Sequence, residues 1–409
     1  MPDFMERLRE LDRAQVPDVW SDVERLGPRT PVEQGPSRLR RPAVVLLALG
    51  IAVGGFLLVD RAFGGRVAIR PAATPTPTIS AVGPVGNGLI AFDCGYHICT
   101  VTPNGSHLTD LETYDKGLTA LSPVFSPDGS KIVFRGYLQG AVSGGANYDI
   151  YVMTADGSGV TNLTTSPEDV QSEASQDSPQ WSPDGSMIAY NNDGRGDTSG
   201  LYVMNADGSD QRRIADGWNA TWSPDGSQIA FALGSGHGAD LWTVHPDGTG
   251  LTQLTQSPKW DELPTWSPDG SRIAFLREGA IYVVNADGTG LADVADLKGV
   301  DPFQPQWSPD GTQLAFEANN GHDYDIYIVN ADGTGLAAVA HDPNLDENWP
   351  VWSPDGTLIA YGATDNLSGV NTGTYDLYVM RPDGTHVQRL TKDAHLGVEF
   401  DISWQGTFG

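Results

Sequence analysis

Trp181-Ser-Pro-Asp-Gly185 returns intact as Trp222-Ser-Pro-Asp-Gly226, Trp266-Ser-Pro-Asp-Gly270, Trp307-Ser-Pro-Asp-Gly311 and Trp352-Ser-Pro-Asp-Gly356. Phe125 stands for the tryptophan in a further copy at 125–129, and Ser403-Trp404-Gln405-Gly406 is a degenerate copy near the end. The phrase serines, Ser126, Ser182, Ser223, Ser267, Ser308 and Ser353, are spaced by 56, 41, 44, 41 and 45 residues. A period of roughly 40–45 residues predicts an all-β β-propeller, with one four-stranded antiparallel blade per repeat.

Within a repeat the first strand ends in the tryptophan. Ser-Pro-Asp-Gly then forms a tight turn, because proline pre-sets φ and glycine accepts φ > 0. A second strand follows, as in Met187-Ile-Ala-Tyr190, then a variable loop and a third strand such as Leu201-Tyr-Val-Met204. A second tight turn, Asn205-Ala-Asp-Gly208, leads to a fourth strand of the kind Leu251-Thr-Gln-Leu-Thr255. Third strands with such a turn occur seven times, ending at Gly105, Gly157, Gly208, Gly248, Gly288, Gly333 and Gly384. The first unit begins at its second strand, Leu89-Ile-Ala-Phe92, and Asp401-Ile-Ser-Trp404 supplies the missing first strand. The reading is therefore seven blades over 87–409, closed by the C-terminal strand, with six as the alternative count. Closure leaves only short protected edges.

Ahead of this body, residues 1–41 are polar and mixed in charge, with Phe4, Leu8 and Leu11 at helical spacing. Residues 43–59, AVVLLALGIAVGGFLLV, carry no charge. At about 1.5 Å per residue they span roughly 25 Å, near the lower limit for a membrane helix, which is expected over 42–60. Arg38, Arg40 and Arg41 precede that stretch, which favours a cytoplasmic N-terminus and an extracytoplasmic body in a single-pass protein of the cell membrane. A cleaved signal peptide is the rival, but its n-region would run to about forty residues. Residues 61–86 form a linker whose 71–86 stretch, PAATPTPTISAVGPVG, is a Pro/Thr-rich tether.

Charge is divided unevenly. Residues 1–82 hold nine Asp/Glu against eleven Lys/Arg, and residues 83–409 hold 43 against 13, a net charge of −30 for the body. Such a body repels a phosphate backbone, so no nucleic acid is expected as partner.

Strands alternate in direction, so both tight turns lie on one face and both variable loops on the other. Function is sought on the loop face, since loops vary while the scaffold holds them. The segments feeding the first strands carry the acids Asp177, Asp261, Glu262, Asp301, Asp346, Glu347, Glu399 and Asp401. Among them stand the aromatics Trp218, Trp260, Phe303, Trp349 and Phe400. Together they are expected as an acidic, aromatic ring at the channel mouth, suited to a peptide, a basic protein or an envelope glycan; alternatively the aromatics cap the blade ends and the acids are only solvated. A cation such as calcium is a further expectation for the mouth. Otherwise no metal or cofactor is expected, because Asn-Ala-Asp-Gly lacks the further ligands of a calcium loop.

Cys94 and Cys99 flank the tip of the first hairpin. A disulfide between them is allowed if the body is extracytoplasmic. No Gly-x-Ser-x-Gly elbow occurs and the eight histidines are scattered, so no catalytic residue is assigned.

The combination W-S-P-D-G-S-x-I-A-F, then D-I-Y-V-M-N-A-D-G, then L-T, resembles the TolB-type, WD-like propeller repeat across about residues 88–405. The resemblance implies a propeller used for protein binding; the family's namesake works in the cell envelope with the Tol–Pal system. This chain departs from the namesake in lacking an α/β domain before the propeller, in its apparent anchor and in a count of seven blades against six. The expected function is a membrane-anchored, non-enzymatic binding module. The alternatives are a sensor signalling through 1–41 and a polysaccharide-active propeller enzyme.

Overall fold

A computed structural model describes residues 87–406, apart from 112, 114–116, 139–147, 165–174, 194–198, 236–237, 298–299, 366–374 and 393–400. The expected cytoplasmic segment, membrane helix and linker lie outside the described residues. Among those described, no helix is long and apolar enough to cross a membrane.

Seven four-stranded antiparallel sheets are present. Blade I holds β1 (Ile90–Asp93), β2 (Ile98–Val101) and β3 (Thr109–Asp110). Blade II holds β4 (Leu118–Phe125), β5 (Lys131–Leu138), β6 (Asp149–Thr154) and β7 (Thr161–Asn162). Blade III holds β8 (Gln176–Trp181), β9 (Met187–Asn192), β10 (Gly200–Asn205) and β11 (Arg212–Ala215). Blade IV holds β12 (Trp218–Trp222), β13 (Ile229–Ser235), β14 (Gly238–Val244) and β15 (Thr252–Gln253). Blade V holds β16 (Asp261–Trp266), β17 (Arg272–Arg277), β18 (Ala280–Asn285) and β19 (Ala292–Asp296). Blade VI holds β20 (Asp301–Trp307), β21 (Gln313–Asn319), β22 (Tyr324–Asn330) and β23 (Ala337–Ala340). Blade VII holds β24 (Leu345–Trp352), β25 (Ile359–Asp365), β26 (Asp376–Met380) and β27 (Gln388–Arg389). The last strand, β28 (Ile402–Trp404), pairs with β1 in the register Ile90↔Trp404 and Phe92↔Ile402, completing blade I. The count is seven, and the six-blade alternative falls away.

Period-two alternation builds the joints. In β9, Ile188 and Tyr190 pack into the joint with blade II, while Ala189 between them turns to the joint with blade IV. The same large–small pattern fills all seven joints with apolar clusters. Burial of these side chains, at about 25 cal/mol per Å² of apolar area, is the main stabilising contribution.

The phrase tryptophan has two tasks. Its ring fills the joint with the preceding blade, and in every copy but Trp266 its Nε1 donates to the carbonyl just before that blade's phrase aromatic. Trp181 donates to Val124, Trp222 to Gln180, Trp307 to Thr265, Trp352 to Gln306 and Trp404 to Val351, all at 3.1–3.2 Å. The serine and aspartate of the phrase are turn chemistry. Ser126 Oγ donates to Asp128 Oδ1 at 2.6 Å and the Lys131 amide donates back to Ser126 Oγ at 2.9 Å. The Ser126 hydroxyl, with the Ser130 amide and hydroxyl, holds the Asp128 carboxyl down to about 2. Gly129, Gly185, Gly226, Gly270, Gly311 and Gly356 close these turns at φ of 68–70°.

At the ring seam the degenerate phrase substitutes a glutamine. Gln405 Nε2 donates to the Gly129 carbonyl at 2.8 Å, and its Oε1 accepts from the Leu89 amide at 3.0 Å. One side chain thus ties the last strand to the first strand described and to the next blade.

Candidate functional site

Neighbouring first strands β28, β4, β8, β12, β16, β20 and β24 lie against one another around the ring. Each of the six complete first strands carries a β-bulge at the same place. The register with the second strand shifts there, and one residue takes a left-handed backbone: Ser122, Ser178, Asn219, Leu263, Gln304 and Trp349, with φ of 48–56°. This conformation costs a non-glycine residue on the order of 1–3 kcal/mol and persists only where the surroundings hold it. In three blades a carboxylate takes the bulge amide. Asp93 Oδ1 accepts from Ser122 N at 2.9 Å, Asp177 Oδ1 from Ser178 N at 2.6 Å, and Glu317 Oε2 from Trp349 N at 2.5 Å.

The bulge sorts the mouth residues by register. Each bulge residue is three before its phrase aromatic, and the residues four, five and six before it point in different directions. At five before stand Asp261 and Glu347, which face the preceding blade and are buried. Asp261 is fully buried in a two-pronged ion pair with Arg277, at 2.5 and 2.6 Å, and accepts the Thr255 hydroxyl at 2.6 Å. The Arg277 guanidinium lies over Phe275 and Tyr282. Glu347 Oε1 accepts from Asp342 N at 3.0 Å; burial, with Asp325 and Asp342 nearby, pushes its carboxyl up to about 9. These two acids brace blade joints and are not brought to the mouth.

Trp349 also differs from its expected role. It is 7% exposed, packs edge-to-face on Tyr375 at 4.7 Å and belongs to the core between blades VII and I. Its bulge backbone turns the ring into the joint.

At four before the phrase aromatic stand Asp177, Trp218, Glu262 and Phe303, on consecutive blades III to VI and all half-buried. At six before stand Trp260 and Asp301, exposed, and Asp346, half-buried. Trp260 and Trp218 meet at 6.3 Å with their planes tilted by 41°, and Trp260 keeps 39% of its surface open. Asp346 Oδ1 accepts from Tyr324 N at 3.2 Å. Asp401 is half-buried and donates its amide to Asp93 Oδ2 at 3.3 Å. Glu399 lies outside the described residues, as does Phe400.

Sequence reading missed Asp93, Arg135 and Glu317. They occupy one position, the residue after the second-strand aromatic, in Phe92-Asp93, Phe134-Arg135 and Phe316-Glu317. All three are buried. The available signal was a charge at a fixed register in an otherwise apolar strand. Arg135 Nη1 pairs with Asp177 Oδ2 at 3.2 Å, and its guanidinium sits 4.8 Å from the Tyr148 ring centroid. Asp93 and Asp401 also act on it. Burial outweighs that cation for Asp177, whose carboxyl is pushed up to about 6, and raises Asp93 strongly. Glu317 rises to about 8 by burial, against the Trp349 amide bond.

Cys94 and Cys99 form a disulfide with Cα atoms 5.7 Å apart, across the β1–β2 loop next to Asp93. Among the described residues no three His, Cys, Asp or Glu side chains form a set able to hold a metal ion.

The fold and mouth define a seven-bladed β-propeller with an acidic and aromatic loop face. No family model matches the chain. The fold is similar to that of an oligogalacturonate lyase solved in complex with manganese, with TM-score 0.54 and 18% identity over 75% of this chain and 84% of that one. It is similar to oligogalacturonate lyase from Vibrio parahaemolyticus, with TM-score 0.54 and 18% identity over 75% and 85%. TolB from Acinetobacter baumannii aligns with TM-score 0.49 and 16% identity over 76% and 79%. At these identities the likeness is one of fold.

Proposed function

We propose that this chain is an extracytoplasmic binding module, held to the cell membrane through residues 43–59, whose propeller presents its loop face to a protein or peptide. The observation that carries the reading is the Trp218–Trp260 pair, an aromatic surface with Trp260 open to solvent on the loop face. Aromatic anchors beside charged groups are the usual centre of a recognition surface. Topology supports the same face. The described chain begins at Asn87, whose side chain donates to Asp355 of a phrase turn at 3.1 Å, and β28 runs toward the turn side before Gln405. The two described ends therefore both lie on the turn face, opposite the loop face. The Cys94–Cys99 disulfide suits an oxidising compartment.

A photo-crosslinking amino acid placed at position 260 of the full-length protein in its native membranes tests this. Adducts are expected at 260 and not at 251, where Leu251 is exposed at the outer blade edge. Equal labelling at both positions rejects the loop face as the binding face. Protease protection of the body in intact cells rejects the extracytoplasmic placement.

A further inference from the structure

We propose that the Cys94–Cys99 disulfide is a redox-sensitive fastening of the ring seam, opened on the loop face by a dithiol reductant and closed again by oxidation. It acts whatever ligand the loop face takes. Blade I is where the ring closes, because β28 from the C-terminal end completes its sheet. On the turn face the seam is tied by Gln405, through amide hydrogen bonds that no reductant breaks. On the loop face it is tied by the tip of the β1–β2 hairpin, and that tip carries the protein's two cysteines.

The tip reaches both neighbours of blade I and the closing strand. Asp93, the last residue of β1, is fully buried. Its Oδ1 accepts from Ser122 N of blade II at 2.9 Å, and its Oδ2 accepts from Asp401 N, just before β28, at 3.3 Å. The Tyr96 carbonyl accepts from Ala120 N of β4 at 3.1 Å. Cys99, with Cys94 packed beside it, belongs to the apolar cluster that holds Trp349 and Tyr375 of blade VII. The amides of Ala120, Ser122 and Asp401 thus all depend on where this one hairpin tip sits.

The disulfide joins residues five apart, and so short a loop takes little freedom from the unfolded chain. Its effect is therefore local. Reduction drives two sulfurs from bonding distance to van der Waals contact. Cys99 is held in β2, which is paired on one side with Phe92 and on the other with Asp110. Cys94, half-buried in the loop after β1, is the one that moves, and Asp93 beside it loses its aim on Ser122 and Asp401. The left-handed backbone of Ser122, at φ 56°, relaxes once its acceptor is withdrawn. Asp93 also acts on Arg135, which pairs with Asp177, so the change reaches the mouth. The chemistry is thiol–disulfide exchange. A thiolate of the dithiol attacks the Cys94 sulfur, the more open of the two, and Cys99 leaves as a thiolate that takes up a proton. The second thiol of the reductant then attacks the mixed disulfide and releases Cys94 as a thiol. Two electrons pass to the protein, and the dithiol ends as a disulfide. Tyr96 between the cysteines is 59% exposed, so the tip is open to an approaching reductant.

The test is amide hydrogen exchange of the full-length protein, oxidised and after dithiothreitol treatment without denaturant, with free thiols counted by alkylation and mass spectrometry. Reduction is expected to go to completion in the folded protein. It should quicken exchange of the Ala120, Ser122 and Asp401 amides by about tenfold or more, while β17 of blade V is unchanged. Reoxidation should restore the slow exchange. Cys94→Ser combined with Cys99→Ser should reproduce the reduced pattern; if that variant does not fold, the reduced and alkylated wild-type protein carries the test. A disulfide that yields to dithiothreitol only once the chain is unfolded in urea is a structural staple, and overturns the proposal. Unchanged exchange at the three amides after reduction overturns it too, as does exchange that quickens equally in β17.

Discussion

Trp307 Nε1 donates to the Thr265 carbonyl across the joint between blades V and VI at 3.1 Å, whereas Trp266, one joint earlier, seals the same atom from water with no acceptor. That joint also opens on the turn face into a groove of about 360 Å³ lined in part by Ser223, Asp225, Trp266 and Asp269. A buried hydrogen bond contributes about 0.5–1.5 kcal/mol, while a buried unmade donor costs about 1–3 kcal/mol. Trp→Phe removes the N–H and leaves a similar void at either site. Trp307→Phe should therefore lower stability by about 1.5–4.5 kcal/mol more than Trp266→Phe, read from urea midpoints at unchanged slope. Equal losses would show that the indole bonds are incidental to the ring packing.

Gln405 closes the ring with both ends of its amide, on Gly129 and Leu89. Gln405→Ala leaves the Leu89 amide and Gly129 carbonyl to find water at the seam. The loss is expected to be about 1–3 kcal/mol and local. Hydrogen exchange should quicken in β1 and β28 and stay unchanged in β17 of blade V. Exchange that quickens uniformly would mean that the ring opens as one unit without a preferred seam.

Buried acids set the pH dependence. Glu317 and Glu347 are raised to about 8 and about 9, and Asp177 and Asp325 to about 6, in each case first by burial. Their unfolded values lie near 4, so the folded chain holds protons that the unfolded chain has released. Their stabilisation is complete below about pH 4 and is lost as pH rises through the folded values. Asp128 and Asp269, held to about 2 by turn hydrogen bonds, act oppositely, and their contribution is lost only in acid. The urea midpoint should thus be highest near pH 4–5 and fall toward pH 9. In Glu347→Gln the fall between pH 7 and pH 9 should flatten. A midpoint that rises over that range would contradict the burial of these acids.

The blade count was legible in the sequence because turns demand particular residues. Gly105, Gly208 and their equivalents sit at φ of 75–84° where a side chain is strained, so each turn leaves a residue-type mark. The bulge left none. Ser122, Leu263, Gln304 and Trp349 share a left-handed backbone but no chemistry, because the ladder on either side and carboxylates such as Glu317 hold them there. Without the bulge, residues 260–263 read as one acidic and aromatic segment. With it, Trp260 and Glu262 stay at the mouth while Asp261 turns into the joint. The partners Arg277 and Asp93 were equally hidden, since they come from neighbouring strands across the pleat.

Asp261 and Asp301 test that division directly. Both are acids that open a first strand, at five and six residues before the phrase aromatic. Asp261→Asn removes the charge that compensates Arg277, which is 9% exposed and bonded to it through two nitrogens. Breaking one side of a buried pair costs about 3–5 kcal/mol, because the remaining charge stays desolvated. Asp301 is exposed, so Asp301→Asn should change stability by less than about 0.5 kcal/mol. The double variant Asp261→Leu with Arg277→Met should recover most of the loss, since an apolar pair of similar volume removes the desolvation penalty. Urea unfolding of the four proteins decides. A double variant no more stable than Asp261→Asn would mean that the ion pair is needed to set the blade V register, and not only to neutralise Arg277.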